Sequence, residues 1–220
     1  SVQPIVISAF ALIGKELSVV RLLLFLVIIL WGARLTLNWA YTFKNLNHQD
    51  WRYTMLKEKT GKFYPVINFI GIHLVPTIVV YACTLPAVFA YVFPAKWNVG
   101  FLFFICLSVF AFTLQGIADI EMHSFRKEKA LGIEKSPFIN RGLWKYSRHP
   151  NYLGEILMWW GVGLSVVCVL PRFYYLLGGA ILNTLLFAFV SLPMAEKRQS
   201  QKQGYDEYKK KTRLILPIKK

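Results

Sequence analysis

The chain has 220 residues, 55% of them hydrophobic and 16% aromatic. Its mean hydropathy is +0.43, more apolar surface than one soluble core of this size could hide. A formal net charge of +15, from 26 Lys and Arg against 11 Asp and Glu, first suggests nucleic acid, but the positions of the basic residues argue against that partner.

The first apolar segment, residues 2–14, is too short to cross a bilayer and lacks the basic start and cleavage site of a signal peptide. It reads as a re-entrant piece or as the end of a truncated helix. The initial Ser is compatible with trimming and with the loss of one or more N-terminal helices. Apolar runs follow at 19–43, 66–95, 97–118, 152–170 and 173–194. Each approaches or exceeds the roughly 20 residues that span a bilayer as a helix. The expected fold is therefore all-α, a polytopic integral membrane bundle of about five transmembrane helices plus the short N-terminal segment. No repeat or flexible linker divides it, so 1–220 reads as one domain.

Between the first two spans, the segment 45–65 is aromatic as well as charged and suits the membrane interface. Pro76 and Pro86 should kink or break the second span. The short connections at 94–96 and around Pro171 and Arg172 predict two antiparallel helix pairs. Five Lys and Arg lie within 44–62, seven within 126–148 and nine within 197–220, whereas the connections on the other side hold only Lys96 and Arg172. That asymmetry predicts a cytoplasmic C-terminus in a bacterial inner membrane or the endoplasmic reticulum. It also makes anionic membrane lipids the partners of the basic clusters, in place of nucleic acid.

Cys83, Cys106 and Cys168 lie inside apolar spans and suggest neither disulfides nor a metal site. His73, alone in an apolar run, reads as a packing residue, and most of the aromatic residues read as lipid-facing or packing groups. Zinc-protease, P-loop and GxGxxG motifs are absent. No metal is expected.

Several polar groups are harder to place in a membrane. Arg34, Asn38 and Tyr41 form a stripe at helical spacing in the first span, which should face other helices or a polar cavity. Asp119, His123 and Arg126 share one face at the end of the third span, with Glu121 pointing elsewhere. The segment SRHPNYLGEI, residues 147–156, carries the most chemistry. Pro150 suits the first position of a helix, which leaves free N–H groups facing Ser147, Arg148 and His149, a place where anions bind. Asn151 and Glu155 share a face one turn in, and the fifteen residues after Glu155 carry no charge. A carboxylate so placed needs a partner. The tail after Met194 is polybasic, but Tyr205, Tyr208 and LILP suggest that it packs back onto the bundle.

Taken together, RLTLNWAY, DWRY, ADIEMHSFR, GLWKYSRHPNYLGEILMWWG, EKR and GYDEYKKKTRLILP resemble the membrane reductases of the steroid 5-alpha-reductase C-terminal superfamily, especially its branch classed as a domain of unknown function. The resemblance runs over residues 31–217. It implies a helical bundle whose cytoplasmic half encloses NADPH while a lipid-like enone or alkene enters from the membrane. By position, Asp119 and Arg126 resemble an Asp and Arg pair that contacts the cofactor, and Asn151 and Glu155 an Asn-x-x-Gly-Glu element beside it. Arg148, His149, Tyr152, His123, Arg198 and Tyr208 match or neighbour further cofactor positions.

The substrate half departs from the pattern. The acid and Tyr that polarise the substrate carbonyl in steroid reductases have no convincing match, and Tyr41 and Arg34 are the candidate catalytic residues in their place. A shorter form of the motif, RHPxYxG, occurs in isoprenylcysteine and phospholipid methyltransferases, so a membrane methyltransferase using S-adenosylmethionine is the alternative. That cofactor is a sulfonium cation without phosphate and gains little from many Arg and Lys. The expectation is an NADPH-dependent membrane oxidoreductase acting on a carbon–carbon double bond.

Overall fold

The structure is a computed structural model that describes residues 2–43 and 51–217. Among these residues it is all-helical, with no strand and a single bridge pairing Ser147 with Arg213. Five helical runs are long and apolar enough to cross a membrane, and a short apolar helix precedes them. This is the architecture of a multi-pass membrane protein.

Helix α1, Val2–Leu12, packs against α2, Val19–Thr42, and α5, Val75–Val92. Ser18 caps α2 by accepting a hydrogen bond from the Arg21 N–H. The expected interfacial segment is described from α3, Trp51–Thr60, onward, and its residues 44–50 lie outside the described residues. The second run continues through α4, Tyr64–Asn68, and a π-helical stretch, Phe69–Leu74, into α5.

Of the two prolines expected to kink or break the second span, Pro76 coincides with a change of helix type and Pro86 does not. Pro76 cannot donate to the carbonyl four residues earlier, and the ladder widens into the π-helical stretch just before it. The stretch Phe187–Ser191 stands in the same relation to Pro193. Pro86, by contrast, stays inside an unbroken α5. The carbonyl it leaves without a helical donor is that of Ala82, which Gly179 approaches so closely that a Cβ there would lie 2.4 Å from the oxygen. His73 is exposed, its ring 6.2 Å from that of Tyr53, so it is no core packing residue.

The third span extends well beyond residue 118. Helix α6, Val99–Ala130, has 32 residues and a length of about 48 Å, against about 30 Å of hydrocarbon. Its last turns carry Asp119, His123 and Arg126 past the apolar part. Asn98 caps its start, accepting from the Phe101 N–H and donating to the Cys168 carbonyl at the end of α7, Pro150–Val169.

Helices α6 and α7 form the closest pair in the bundle, and glycine is the reason. A Cβ at Gly154 would lie 2.7 Å from the Ala111 carbonyl oxygen, and one at Gly161 2.8 Å from that of Phe104. Small residues allow backbones this close where lipid offers no hydrophobic drive for association. Ser108 adds a hydrogen bond to the Met158 carbonyl. The main core forms from α2, α5, α6 and α7, with Leu24, Ile28, Trp31, Phe101, Met158 and Trp159 almost wholly buried.

The last run passes from a 3-10 stretch, Pro171–Leu177, through α8, Gly178–Leu186, to α9, Leu192–Gln199. Helix α10, Tyr205–Lys211, then folds back. The tail packs onto the bundle as its aromatic residues predict: Tyr205 is 2% exposed, and Tyr208 donates to the Trp144 carbonyl.

Candidate functional site

The ends of α2, α6, α7 and α9 meet at the basic end of the bundle around a cleft of about 210 Å³. Asp119, His123, Arg126, His149, Asn151, Tyr152 and Arg198, all expected to line one site, line it together. The close α6–α7 packing produces this convergence, because it fixes Asp119 and His123 opposite Asn151. Helix α7 does open at Pro150, with His149 at its cap position.

The cleft also contains residues that the sequence reading did not assign to it. Asn38 Oδ1 accepts from His123 Nε2 at 2.7 Å, and Trp51, Trp144 and Gln199 also line the wall. Arg198 stacks over the Trp51 ring at 4.6 Å. Among the described residues, Asn151 Oδ1 and Gln199 Oε1 are buried without a hydrogen-bond partner. Orphaned polar atoms are uncommon in a native interior and mark places where a ligand or water completes the set.

The basic residues converge as well. Lys202, half-buried, has its pKa lowered, first by burial and then by the positive charges of Arg198, Lys129 and Arg126. Of the three cations that act on Lys202, Arg126 and Arg198 stand on the cleft wall. Lys202 lies in a run of Gln, Ser and Lys whose sequence gives no sign of this. Only the fold back of the tail places it.

Behind the cleft is a polar cluster within the bundle. Asp119 pairs with Arg34 at 2.5 Å, and the same guanidinium lies 3.7 Å from Glu155. Asp119 is thus tied across the bundle to Arg34 of the first span. The partner that Glu155 requires is mostly a pair of indoles. Trp31 Nε1 donates to it at 2.9 Å and 3.1 Å, and Trp159 Nε1 at 2.9 Å. Neither tryptophan stands out in the sequence among so many aromatic residues. Arg34 and Glu155 lie one layer deeper than the cleft wall. Tyr41 is exposed at the edge, its ring 4.5 Å from His123.

Two expected cofactor residues serve the tail. Arg148 is buried and donates through Nε and Nη2 to the Glu196 carboxylate, at 3.1 Å and 3.0 Å, and through Nη1 to the carbonyls of Lys209 and Thr212. Its donors are engaged by protein acceptors. Glu196 also takes a hydrogen bond from Tyr205 at 2.8 Å and contacts His149 Nε2 at 2.7 Å. Burial raises the pKa of Tyr208, whose hydroxyl donates to Trp144 on the far side of the 142–145 turn from the cleft. The turn is fixed by Glu121, which accepts from the Leu143 N–H at 2.9 Å, so Glu121 does point elsewhere. Gly142 has φ +58, and a Cβ there would meet Glu121 at 1.9 Å.

A family profile described as a protein of unknown function, DUF1295, matches residues 1–212. The chain belongs to that family. The DUF1295 match covers every residue of the cleft and of the polar cluster behind it. An uncharacterized protein of Schizosaccharomyces pombe is 25% identical over 93% of the chain, which spans 66% of that relative's length. No solved structure matches significantly.

Proposed function

We propose that this chain is an NADPH-dependent membrane oxidoreductase of the steroid 5-alpha-reductase-like class, reducing a carbon–carbon double bond of a lipid-like substrate. One observation carries the reading: Arg126 and Arg198 line a cleft whose wall also holds a carboxylate, two histidines and two amides with unpartnered oxygens. The donor set fits a dinucleotide phosphate. Arg and Lys suit phosphate oxygens, and Asn38, Asn151 and Gln199 suit ribose hydroxyls and a carboxamide. The volume admits one end of such a molecule, since sites that enclose a whole ligand of drug size run from roughly 300 to 1,000 Å³.

When bound, NADPH supplies a hydride. The chain's own residues do the rest. Arg126, Arg198 and Lys202 hold phosphate charge at the mouth. Arg34 orients Asp119, and through Glu155 it ties the cleft to the two buried indoles. The Tyr41 hydroxyl, at the edge of the cleft, is the proton donor to the carbon next to the one reduced. The cluster of base at this end supports a cleft on the cytoplasmic side.

Arg126 and Arg198 on the cleft wall disfavour S-adenosylmethionine, itself a cation, and so count against a methyltransferase. The test is thermal protection of the detergent-solubilised chain by NADPH, NADH or S-adenosylmethionine. NADPH should protect best, and Arg126→Ala with Arg198→Ala should weaken it by about tenfold or more, the size expected for lost charge-assisted contacts. Protection by S-adenosylmethionine alone would overturn the proposal.

A further inference from the structure

A second and larger cavity, about 570 Å³, lies on the other side of the 142–145 turn from the cleft. The tail builds one of its walls and the segment before α7 the other. Asn140, Lys145 and Tyr146 line it from one side, and Glu207, Tyr208 and Lys211 from the other. Its volume falls within the range of roughly 300 to 1,000 Å³ typical of sites that enclose a small molecule.

The cavity is held open by bonds that do not involve its lining charges. Arg148 fixes the tail through the Lys209 and Thr212 carbonyls, its own N–H donates to the Arg213 carbonyl at 3.0 Å, and Thr212 Oγ1 donates to the Lys145 carbonyl at 3.1 Å. Phe138 stacks on Tyr208 with ring centroids 5.1 Å apart, which gives the cavity a flat aromatic side. Lys145 and Lys211 are exposed, so their ammonium groups reach the space without a folding role. They outnumber the one lining carboxylate, Glu207. Lysine is a compact point charge that suits phosphate oxygens, whereas planar carboxylate recognition favours arginine. Leu214 and Leu216, which follow the lining residue Thr212 in the chain, are 37% and 55% exposed. Exposed leucines this close along the chain to a cationic cavity suit a ligand with an acyl chain attached.

We infer that the cavity between the tail helix and the 138–146 segment binds a headgroup whose phosphate carries net negative charge, with Lys145 and Lys211 as its charge partners and the Phe138–Tyr208 stack beside it. The site is separate from the proposed NADPH cleft. Trp144 faces the cleft, and Lys145 and Tyr146, next in sequence, face this cavity.

The test is thermal unfolding of the full chain in a zwitterionic detergent, with dihexanoyl phosphatidic acid, dihexanoyl phosphatidylcholine or inorganic phosphate added. Phosphatidic acid should raise the midpoint of the wild type and of a Lys57→Ala/Lys59→Ala control, which loses the same charge from α3. In Lys145→Ala/Lys211→Ala the concentration needed should rise about tenfold or more, as expected for two lost charge-assisted contacts. Both lysines are exposed, so the variant should fold. If inorganic phosphate acts as strongly and with the same lysine dependence, the ligand is a soluble phosphate rather than a lipid. No shift, an equal shift in all three proteins, or an equal effect of phosphatidylcholine would overturn the inference. None of these outcomes bears on NADPH binding.

Discussion

Glu155 and Glu196 are both largely buried carboxylates with several donors, yet they do opposite work. Glu196 has a forked guanidinium, an imidazole and a phenol, all within 3.1 Å; the first two tie α9 to the start of α7, and the phenol ties the tail helix to α9. Glu155 has two neutral indoles and a guanidinium 3.7 Å away that is committed to Asp119 at 2.5 Å. Two acids share one base in the second cluster. A carboxylate with its own full set of charged donors is a clamp, because any change in it leaves other buried groups without partners. A carboxylate held by neutral donors, next to a cleft, keeps its negative potential available to whatever enters.

Glu196→Ala gives the largest expected effect. It leaves Arg148 buried without its ion-pair partner, and removing one member of a buried pair costs about 3–5 kcal/mol. The tail should come away, which limited proteolysis would detect as early cleavage after Gln199, alongside a large fall in the thermal midpoint. If the tail stays protected, the clamp reading fails.

Gly161→Leu comes next. Its Cβ alone would meet the Phe104 carbonyl at 2.8 Å and Ser108 Oγ at 2.2 Å, so α6 and α7 must separate. Overpacking of this kind costs about 1–3 kcal/mol. Because that interface positions Asp119 against Asn151, NADPH protection should fall together with stability, whereas Glu196→Ala should affect the tail first. Loss of stability with cofactor protection intact would show that the cleft does not depend on the helix pair.

Glu155→Gln should behave in the opposite way. Gln can accept from both indoles and fits the same space, so the fold should survive with a change within about 1 kcal/mol. NADPH binding should weaken by about tenfold, since Arg34, which lies between Glu155 and Asp119, loses one of the two carboxylates that hold it and Asp119 on the cleft wall is no longer fixed. A variant that unfolds would make Glu155 a second clamp.

The sequence carried the spans and the basic sidedness plainly, because both rest on composition over many residues. It also brought the cleft together, since Asp119, His123, Asn151 and Tyr152 sit in motifs on two helices that pack face to face. Arg148 was misread from the same motif. Its neighbours in sequence are cleft residues, but its guanidinium faces Glu196, 48 residues away, and the tail. Pairings of that range leave no periodic trace. Trp31 as a donor to Glu155 is hidden for the same reason, at a separation of 124 residues. That Pro86 leaves α5 unbroken is hidden as well, because the approach of Gly179 to the carbonyl it exposes belongs to a different helix.

Lys202 gives the smallest effect and the one with an unusual sign. Its pKa is lowered by burial and by Arg198, Lys129 and Arg126, so the charged form is disfavoured in the folded chain. The resulting cost to stability is present in full below the folded pKa and disappears as pH rises through the ordinary lysine value. Lys202→Gln should therefore stabilise the ligand-free protein at neutral pH, by about 0.5 kcal/mol once solvent screening of a half-exposed group is allowed for. The gain should shrink in high salt and at pH above 10.5, the ordinary lysine pKa. The same change should weaken NADPH protection, because the repulsion among these cations is what a phosphate relieves. Thermal midpoints with and without NADPH, at two salt concentrations, separate the two effects. A variant that is less stable without ligand and equally well protected with it would place Lys202 outside the phosphate site and leave Arg126 and Arg198 to hold it.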